Sequence, residues 1–487
     1  MSPPKLKILL ASSEVYPFAK TGGLGDIAGS LPKALRQLGH EVRVITPKYK
    51  VTAKCPLGFR PMGRDIDVPV GPALKKGFLY ESRLAEGVPV YLVGNDEYYH
   101  RDELYGEQGR EYPDNPERFI FFCRAVLESC KATGFFPDIF HCNDWQTGLV
   151  PVYLKTLYAQ DPDFARARTI FSIHNLAFQG NYPPARMTAA HLPPHLFRVD
   201  GLEFYGNLSF MKGGLMFADL LTTVSKTYSK EIQTPEFGFG MDGILRSRSK
   251  DLYGFLNGAD YEEWDPETDP LIPENYNAKN LSGKQECKRE LKARFKLSLP
   301  EEAPLFCMVS RLSAQKGISL IMESAEKWLA DGAGFVLLGS GEPRFEEFFL
   351  NLARKHPAQC GAIIGYNEEL AHQIMAGGDL LFVPSQYEPC GLTQIYGLKY
   401  GAVPLVRSVG GLQDTIQEFQ SASGSGNGFK FRPYENKYLL QAVKKALSLY
   451  KQKNTWRTLM RNGMNQSFGW DHSAGQYSRL YYKLLSH

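Results

Sequence analysis

The stretch Lys20-Thr21-Gly22-Gly23-Leu24-Gly25-Asp26 sets a cation and three glycines at the opening of a helical pattern that begins near Ile27. Glycines let backbone N–H groups approach an anion at a helix N-terminus, and Lys20 adds a mobile positive charge. An ordinary glycine-rich turn with a solvated lysine fits the same letters, and Asp26 fits a cap for that helix equally well. A second group, Ser310-Arg311-Leu312-Ser313-Ala314-Gln315-Lys316-Gly317, follows the apolar run Leu305 to Val309. Arg offers a planar fork and Lys a point charge, so Arg311 and Lys316 together suit a diphosphate better than either does alone. A third group, Gln386-Tyr387-Glu388-Pro389-Cys390-Gly391-Leu392-Thr393-Gln394, follows Leu380 to Val383 and opens another helix. Its backbone amides can hold phosphate, while Glu388 reads either as an acceptor for sugar hydroxyls or as a helix-start carboxylate. Gly410-Gly411-Leu412-Gln413-Asp414-Thr415 opens a further helix with the same capacity.

His174 ends the run Thr169 to Ile173, and Asp144-Trp145 follow a run that ends near His141. A histidine there reads as chemistry or as a hydrogen-bonded core residue, and Trp145 as a platform for a sugar ring or as core. Two patterns resemble metal sites and are read otherwise. Asp65-Ile66-Asp67 has the D-x-D form, yet it leads into Val68-Pro69-Val70 with no helix start or glycine loop nearby, so a surface feature is expected. His191 and His195 stand four residues apart, but Pro193 and Pro194 between them would disrupt a zinc-binding helix. No metal site is predicted.

These groups need elements to position them. Short apolar runs recur at Ile8-Leu9-Leu10, Val42 to Ile45, Val88 to Val93, Ile139-Phe140, Thr169 to Ile173 and Leu220 to Val224, and read as buried strands. Helical patterns alternate with them, as in Ile27 to Leu38 closed by Gly39, and Pro116 to Ala132. Strand and helix in alternation predict a parallel α/β sheet. The alternation restarts after Asp260 to Asn280, a segment rich in Pro, Asn, Asp and Glu that reads as an interdomain link. Leu305 to Val309, Phe335 to Leu338, Ala362 to Ile364, Leu380 to Val383 and Val403 to Val406 then predict a second doubly wound sheet. Ser421 to Gly428 reads as a loop inside it. Open α/β sheets bind ligands at the carboxyl ends of their strands, so the chemistry is expected in a cleft between two facing sheets.

Composition agrees with that plan. At 487 residues the chain is long enough for two domains, and 43% hydrophobic with 22% charged residues is ordinary for a folded globular protein. A formal net charge of +4, without a dense basic run, does not suggest nucleic acid as a partner. Eight cysteines without a C-x-x-C pair predict a reduced, cytoplasmic chain. The start, Met1-Ser2-Pro3-Pro4-Lys5, runs straight into Leu6 to Ala11, too short for a signal peptide, and no membrane span is predicted.

Taken together, the chain resembles bacterial glycogen synthases and the related plant starch synthases over essentially its whole length. The resemblance rests on the Lys20 to Asp26 loop, His141-Cys142-Asn143-Asp144-Trp145, Ile173-His174-Asn175-Leu176, Asn257-Gly258, Ser310-Arg311-Leu312 with Gln315-Lys316-Gly317, and Glu388 through Gly401. It implies the GT-B arrangement of two Rossmann-like domains: 1–256 on the glucan acceptor side, completed by a C-terminal helix at about 466–487, and 257–465 on the nucleotide-sugar donor side. It also implies metal-independent transfer of glucose from ADP-glucose to an α-1,4-glucan such as glycogen, with retention. No cofactor is implied. Lys20, Arg311 and Lys316 would stabilise the departing diphosphate; Glu388 and Cys390 would contact glucose hydroxyls, and Gly391, Leu392 and Thr393 the phosphates. His174 would sit beside the anomeric carbon. Gly22, Gly23, Asp26, Asn257 and Tyr366 would line the donor site, with Tyr366 next to the base, and Asp144 and Trp145 would serve the acceptor.

Retaining hydrolases commonly pair a nucleophilic carboxylate with a second acid about 5 Å away, and no motif for such a pair is present. The resemblance implies instead a front-face reaction, in which the leaving phosphate helps deprotonate the acceptor hydroxyl. Many retaining relatives carry a second Glu eight positions after the first; here that place is Tyr396, as is general in the glycogen and starch branch. A transferase with another acceptor, a glucan phosphorylase and an inactive glucan-binding protein are the competing readings. The Lys20 loop and the joint presence of His174, Arg311, Lys316 and Glu388 weigh against them.

Overall fold

A computed structural model describes residues 4–107 and 109–486. Met1, Ser2 and Pro3 of the expected leaderless start, Gln108, and His487 at the end of the expected C-terminal helix lie outside the described residues. The chain divides into two compact units, one running to Gly258 and taking in the segment from Trp470 onward, the other Ala259–Gly469. Asn257 and Gly258 therefore belong to the first unit, and the return begins at Trp470.

In the first unit, nine strands among the described residues form one sheet in the order Leu252–Gly254, Leu220–Thr223, Arg168–Ile173, Ile139–Asn143, Lys7–Ala11, Glu41–Pro47, Pro89–Gly94, Ala73–Arg83 and Arg60–Val70. The strands are parallel except for the hairpin of the last two, which pairs antiparallel onto Pro89–Gly94. Strands such as Lys7–Ala11 are covered on both faces, which is why they read as unbroken apolar runs. Chain order reverses direction between Lys7–Ala11 and Ile139–Asn143, and the loops leaving these two strands carry the Lys20 and Asp144 groups. The helix Trp470–Leu485 closes this unit: Trp470, Ala474, Tyr477, Leu480 and Tyr481 share a core with Ile8, Leu10, Ile27 and Leu31.

The second unit holds a six-stranded, wholly parallel sheet among the described residues. Its order is Cys360–Ile364, Gly334–Gly339, Leu305–Val309, Leu380–Val383, Val403–Arg407 and Phe429–Phe431. Its core gathers Phe306, Trp328, Phe335 and Phe382 under the helices Ile318–Ala330 and Asn436–Tyr450. Here the reversal lies between Leu305–Val309 and Leu380–Val383, the strands that feed the Arg311/Lys316 and Glu388 loops.

One expectation changes. The segment 260–280 is packed onto the second unit rather than slung as a link: Trp264, Asp269, Ile272 and Tyr276 are buried. Its Asp and Asn side chains close successive turns, with Glu262, Glu267, Leu271 and Lys279 donating backbone N–H bonds to Asp260, Asp265, Asp269 and Asn277. Asp65-Ile66-Asp67 lies within the edge strand Arg60–Val70, where Asp67 pairs with Lys76 at 2.8 Å. No helix among the described residues is long and apolar enough to cross a membrane.

Candidate active site

In the second unit the Arg311/Lys316 loop and the Glu388 loop meet. Gln386 donates its backbone N–H to Gln315 at 2.8 Å, and the Lys316 ammonium donates to Glu388 Oε2 at 2.7 Å. The same carboxylate oxygen accepts the Ser385 hydroxyl at 2.8 Å. Glu388 is thus a buried, paired carboxylate rather than a helix-start residue, since the helix it precedes begins at Thr393. Gly317 makes the junction possible: its φ is +73°, and a Cβ there would stand 2.1 Å from the Pro384 carbonyl oxygen. The expected second glycine opening packs directly against the first. A Cβ on Gly410 would lie 1.9 Å from the Glu388 carbonyl oxygen, so the two loops are interleaved through backbone alone. Arg311 is exposed, and its guanidinium makes no hydrogen bond or ion pair among the described residues. Two cations, one already leaning on a carboxylate, therefore stand at the sheet's switch point. Cys390 is buried, Gly391 takes φ +72°, Leu392 caps the helix and Thr393 is its first residue. Tyr366, after the outer strand Cys360–Ile364, is 76% exposed.

In the first unit, Lys20 pairs with Asp26 at 2.7 Å. The helix runs Gly23–Gln37 with Gly22 as its capping residue, so Asp26 sits inside the first turn and is not the cap. In the loop expected to receive an anion, the Thr21 and Gly22 amides are already engaged. Both donate to Glu14 Oε2, at 2.5 and 3.2 Å. Glu14 was not singled out by its sequence context.

Around the next switch-point strand, Asn143 donates its amide NH2 to the Ala11 and His141 carbonyls at 3.0 and 3.2 Å. That fixes its amide oxygen toward His174 Nε2 at 2.8 Å, so Nε2 carries the proton and Nδ1 the lone pair. His174 Nδ1 is buried and has no hydrogen-bond partner among the described residues. Burial lowers the His174 pKa to about 3, which keeps the ring neutral. Asp144 Oδ1 accepts the His174 backbone N–H at 2.7 Å and that of Asn175 at 3.4 Å. Asp144 holds φ +56° and ψ 178°, a region costly for any residue with a Cβ. Burial raises its pKa to about 7 against the pull of those two amides, and the negative charge of Glu14 adds to the rise. Trp145 is only 5% exposed, with Phe119, Tyr182 and Phe210 around its ring. Its ring is buried in the turn that Asp144 opens. Asn257 follows the strand Leu252–Gly254, buried, with its side-chain oxygen unpartnered among the described residues.

Among the described residues no three His, Cys, Asp or Glu side chains are grouped to hold a metal ion. All eight cysteines are buried and unpaired to one another.

Comparison with known proteins shows the family. Residues 7–247 match the starch synthase catalytic domain model, and 290–462 match glycosyl transferases group 1. A glycogen synthase of Syntrophotalea carbinolica is 45% identical over 480 residues, covering 99% of each chain. One from Anaeromyxobacter sp. is 47% identical over 484 residues, covering 99% of this chain and 100% of its own. The catalytic domain of starch synthase IV from Arabidopsis thaliana, solved bound to ADP and acarbose, superposes with a TM-score of 0.91 at 33% identity, covering 99% of this chain and 100% of that one. A sucrose-phosphate synthase from Thermosynechococcus elongatus, at 18% identity and a TM-score of 0.61 with the same coverage, shares the fold alone.

Proposed function

We propose, on the premise that the chain belongs to the family of glycogen and starch synthases, that it transfers glucose from ADP-glucose to the 4-hydroxyl at the non-reducing end of an α-1,4-glucan, with retention. Membership makes it a glycosyltransferase, and its two sheets are those of the GT-B class. The observation that carries the donor reading is the convergence of Arg311, Lys316 and Glu388 at the switch point of the second sheet. A nucleotide sugar presents a diphosphate and a polyol, and these residues answer both.

Arg311 and Lys316 would neutralise the charge that grows on the leaving diphosphate, where a preformed cation is worth most. Glu388 would accept glucose hydroxyls beside Cys390, and the backbone of Gly391, Leu392 and Thr393 would lie along the phosphates. The exposed ring of Tyr366 suits stacking against the base. On the first unit, Lys20 with Asp26, Gly22 and Gly23 would also serve the donor, and Asn257 offers an unpaired oxygen to a hydroxyl. The neutral His174 has a lone pair on Nδ1 that suits a sugar hydroxyl, and its carbonyl would face positive charge developing at the anomeric carbon. Asp144 would orient the acceptor. Transfer by the front-face route would hand the 4-hydroxyl proton to the leaving phosphate, which needs no second carboxylate. ADP is the product this reaction would release, and the Arabidopsis relative was solved with ADP bound.

Release of nucleotide diphosphate with glycogen as acceptor tests the reading. ADP-glucose is expected to support turnover and UDP-glucose to support it poorly, and Lys316→Ala to lower it by roughly 100- to 1,000-fold. Donor binding without release in the wild type would overturn the transferase reading, and turnover with UDP-glucose alone would change the donor.

A further inference from the structure

Glu14 lies three residues beyond the strand Lys7–Ala11, on the turn after the switch-point strand, and is only 4% exposed. A buried carboxylate needs partners, and this one has four donors, all uncharged. Oε2 accepts the Thr21 and Gly22 backbone N–H groups at 2.5 and 3.2 Å. Oε1 accepts the Thr21 hydroxyl at 2.7 Å and the Tyr105 hydroxyl at 2.8 Å. Tyr105 is tied in turn to the Ser13 hydroxyl at 2.8 Å, and the Glu14 backbone to the Ser12 hydroxyl. Among the described residues no lysine or arginine bonds to it.

A pair of backbone amides at a helix opening is where a bound phosphate usually sits. Here a side chain of the protein takes that place. We infer that Glu14 is a positioning residue: its carboxylate acts as a built-in anion that moulds the Thr21-Gly22 turn and so sets where Lys20 stands, leaving Lys20 as the loop's charge for the donor. Lys20 precedes the two anchored amides directly, and Gly25 behind it packs on its stem, a Cβ there standing 3.0 Å from the Lys20 Cβ. The turn that follows Lys20 is thus held by Glu14, and the Lys20 stem by Gly25. Lys20 then reaches a leaving group without first ordering its own backbone.

The division of labour between the two oxygens makes the substitutions informative. In Glu14→Gln the amide oxygen can stay on the two backbone N–H groups, while its NH2 faces two hydroxyls that rotate to accept. Glu14→Ala removes the anion and leaves both amides open.

The inference rests on the synthase reading, so wild-type ADP release with ADP-glucose and glycogen is measured alongside; its absence would sink that reading and not this one. With the wild type active, Glu14→Ala is expected to lower kcat by about 100-fold while the donor KM changes little, and formate or acetate at high concentration to restore about tenfold of the loss. Glu14→Gln is expected to lose only a few-fold. In a Lys20→Ala background, adding Glu14→Ala is expected to cost almost nothing more, because its effect runs through Lys20. Full additivity of the two losses, or an inactive but folded Glu14→Ala that no carboxylate rescues, overturns the inference. Should Glu14→Ala fail to fold, the same cycle run with Glu14→Gln decides: additivity with Lys20→Ala counts against it, and coupling supports it.

Discussion

Each unit buries a histidine among polar groups, and the two rings are held in opposite charge states. His174, at a strand end in the first unit, meets an amide oxygen, and burial takes its pKa down to about 3. His141 nearby, between the Tyr481 and Ser172 hydroxyls, is lowered to about 3 in the same way. His372, in the helix Glu368–Gly377 of the second unit, is also pushed down by burial, but the Asp269 carboxylate at 2.7 Å and Glu368 at 3.7 Å outweigh it and bring the pKa to about 9. The His372 ring stacks on Trp264 at 3.7 Å, and Tyr396 stacks on Trp264 at 4.3 Å. The difference is one of partners, since all three rings are buried. A neutral neighbour leaves His174 a lone pair for substrate; a carboxylate makes His372 half of an ion pair that ties 260–280 to a helix. Tyr396, at the position where other retaining enzymes have a carboxylate, is part of that packing.

The largest effects are expected from removing each ring. His372→Ala leaves the Asp269 carboxylate buried with only the Tyr400 hydroxyl and the Leu271 amide, at a cost of about 3–5 kcal/mol. Urea unfolding should show that loss, while the folded fraction keeps near-normal turnover. His174→Ala should do the reverse: roughly 100-fold less turnover, with a loss of about 1–3 kcal/mol from the unpaired Asn143 oxygen. If the folded His372 variant were as inactive as the His174 variant, the division into a chemical and a structural histidine would fail.

The pH dependence of stability should separate the two units next. His141 and His174 are depressed from 6.5 to about 3, so the folded form stays neutral while the unfolded form takes up protons. Their contribution is complete above pH 6.5 and is lost as pH falls toward 3. Asp144, raised to about 7, acts the other way over pH 4 to 7, but one carboxyl does not offset two histidines. His372 is raised, so its contribution is complete below pH 6.5 and is lost as pH climbs through 9, about 3 kcal/mol at most. Lys284, which burial lowers to about 8, gains in the opposite sense only above that pH. Stability curves of wild type and His372→Gln between pH 6.5 and 8 are therefore diagnostic. A downward slope in the wild type that flattens in the variant is expected; parallel slopes would mean His372 is not charged.

This contrast also marks what a sequence discloses. Continuous apolar runs name the parallel strands, and the loops that follow Leu305–Val309 and Leu380–Val383 hold the charged groups read from them, because strand order puts both at a reversal. The antiparallel hairpin Arg60–Val70 with Ala73–Arg83 was not legible, since its outer strand is mostly exposed and broken by charged residues and prolines. Glu14 and His372 were missed for one reason. His372 is tied to Asp269, 103 residues away, and Glu14 to Tyr105, 91 residues away, as well as to Thr21 and Gly22 in the next loop, and nothing in the local letters of either announces that it is the acceptor. The segment 260–280 misled because its order comes from Asp and Asn turns and a few aromatics, which carry no helical or strand period.

The finest test converts one environment into the other. Asp269 Oδ1 accepts the Leu271 amide at 2.8 Å, and Oδ2 accepts from His372 and Tyr400. In Asp269→Asn the amide oxygen can keep Leu271 while the NH2 replaces Oδ2, facing the lone pair of a neutral His372 ring and a hydroxyl that can turn to accept. The shape is preserved and the ring's main reason to hold a second proton is gone. Its pKa, followed by NMR through the ring Cε1 proton, should fall from about 9 toward its ordinary 6.5 or below, making His372 resemble His174. Stability at pH 7 should drop by about 1–3 kcal/mol, less than in His372→Ala, because no unpaired buried charge remains. A His372 pKa still near 9 in this variant would identify Glu368, whose side chain is 39% exposed, as the partner that sets the charge. The buried Asp269 would then be a hydrogen-bond acceptor for Tyr400 and Leu271 first, and the contrast between the two histidines would come from a surface carboxylate, which salt would screen.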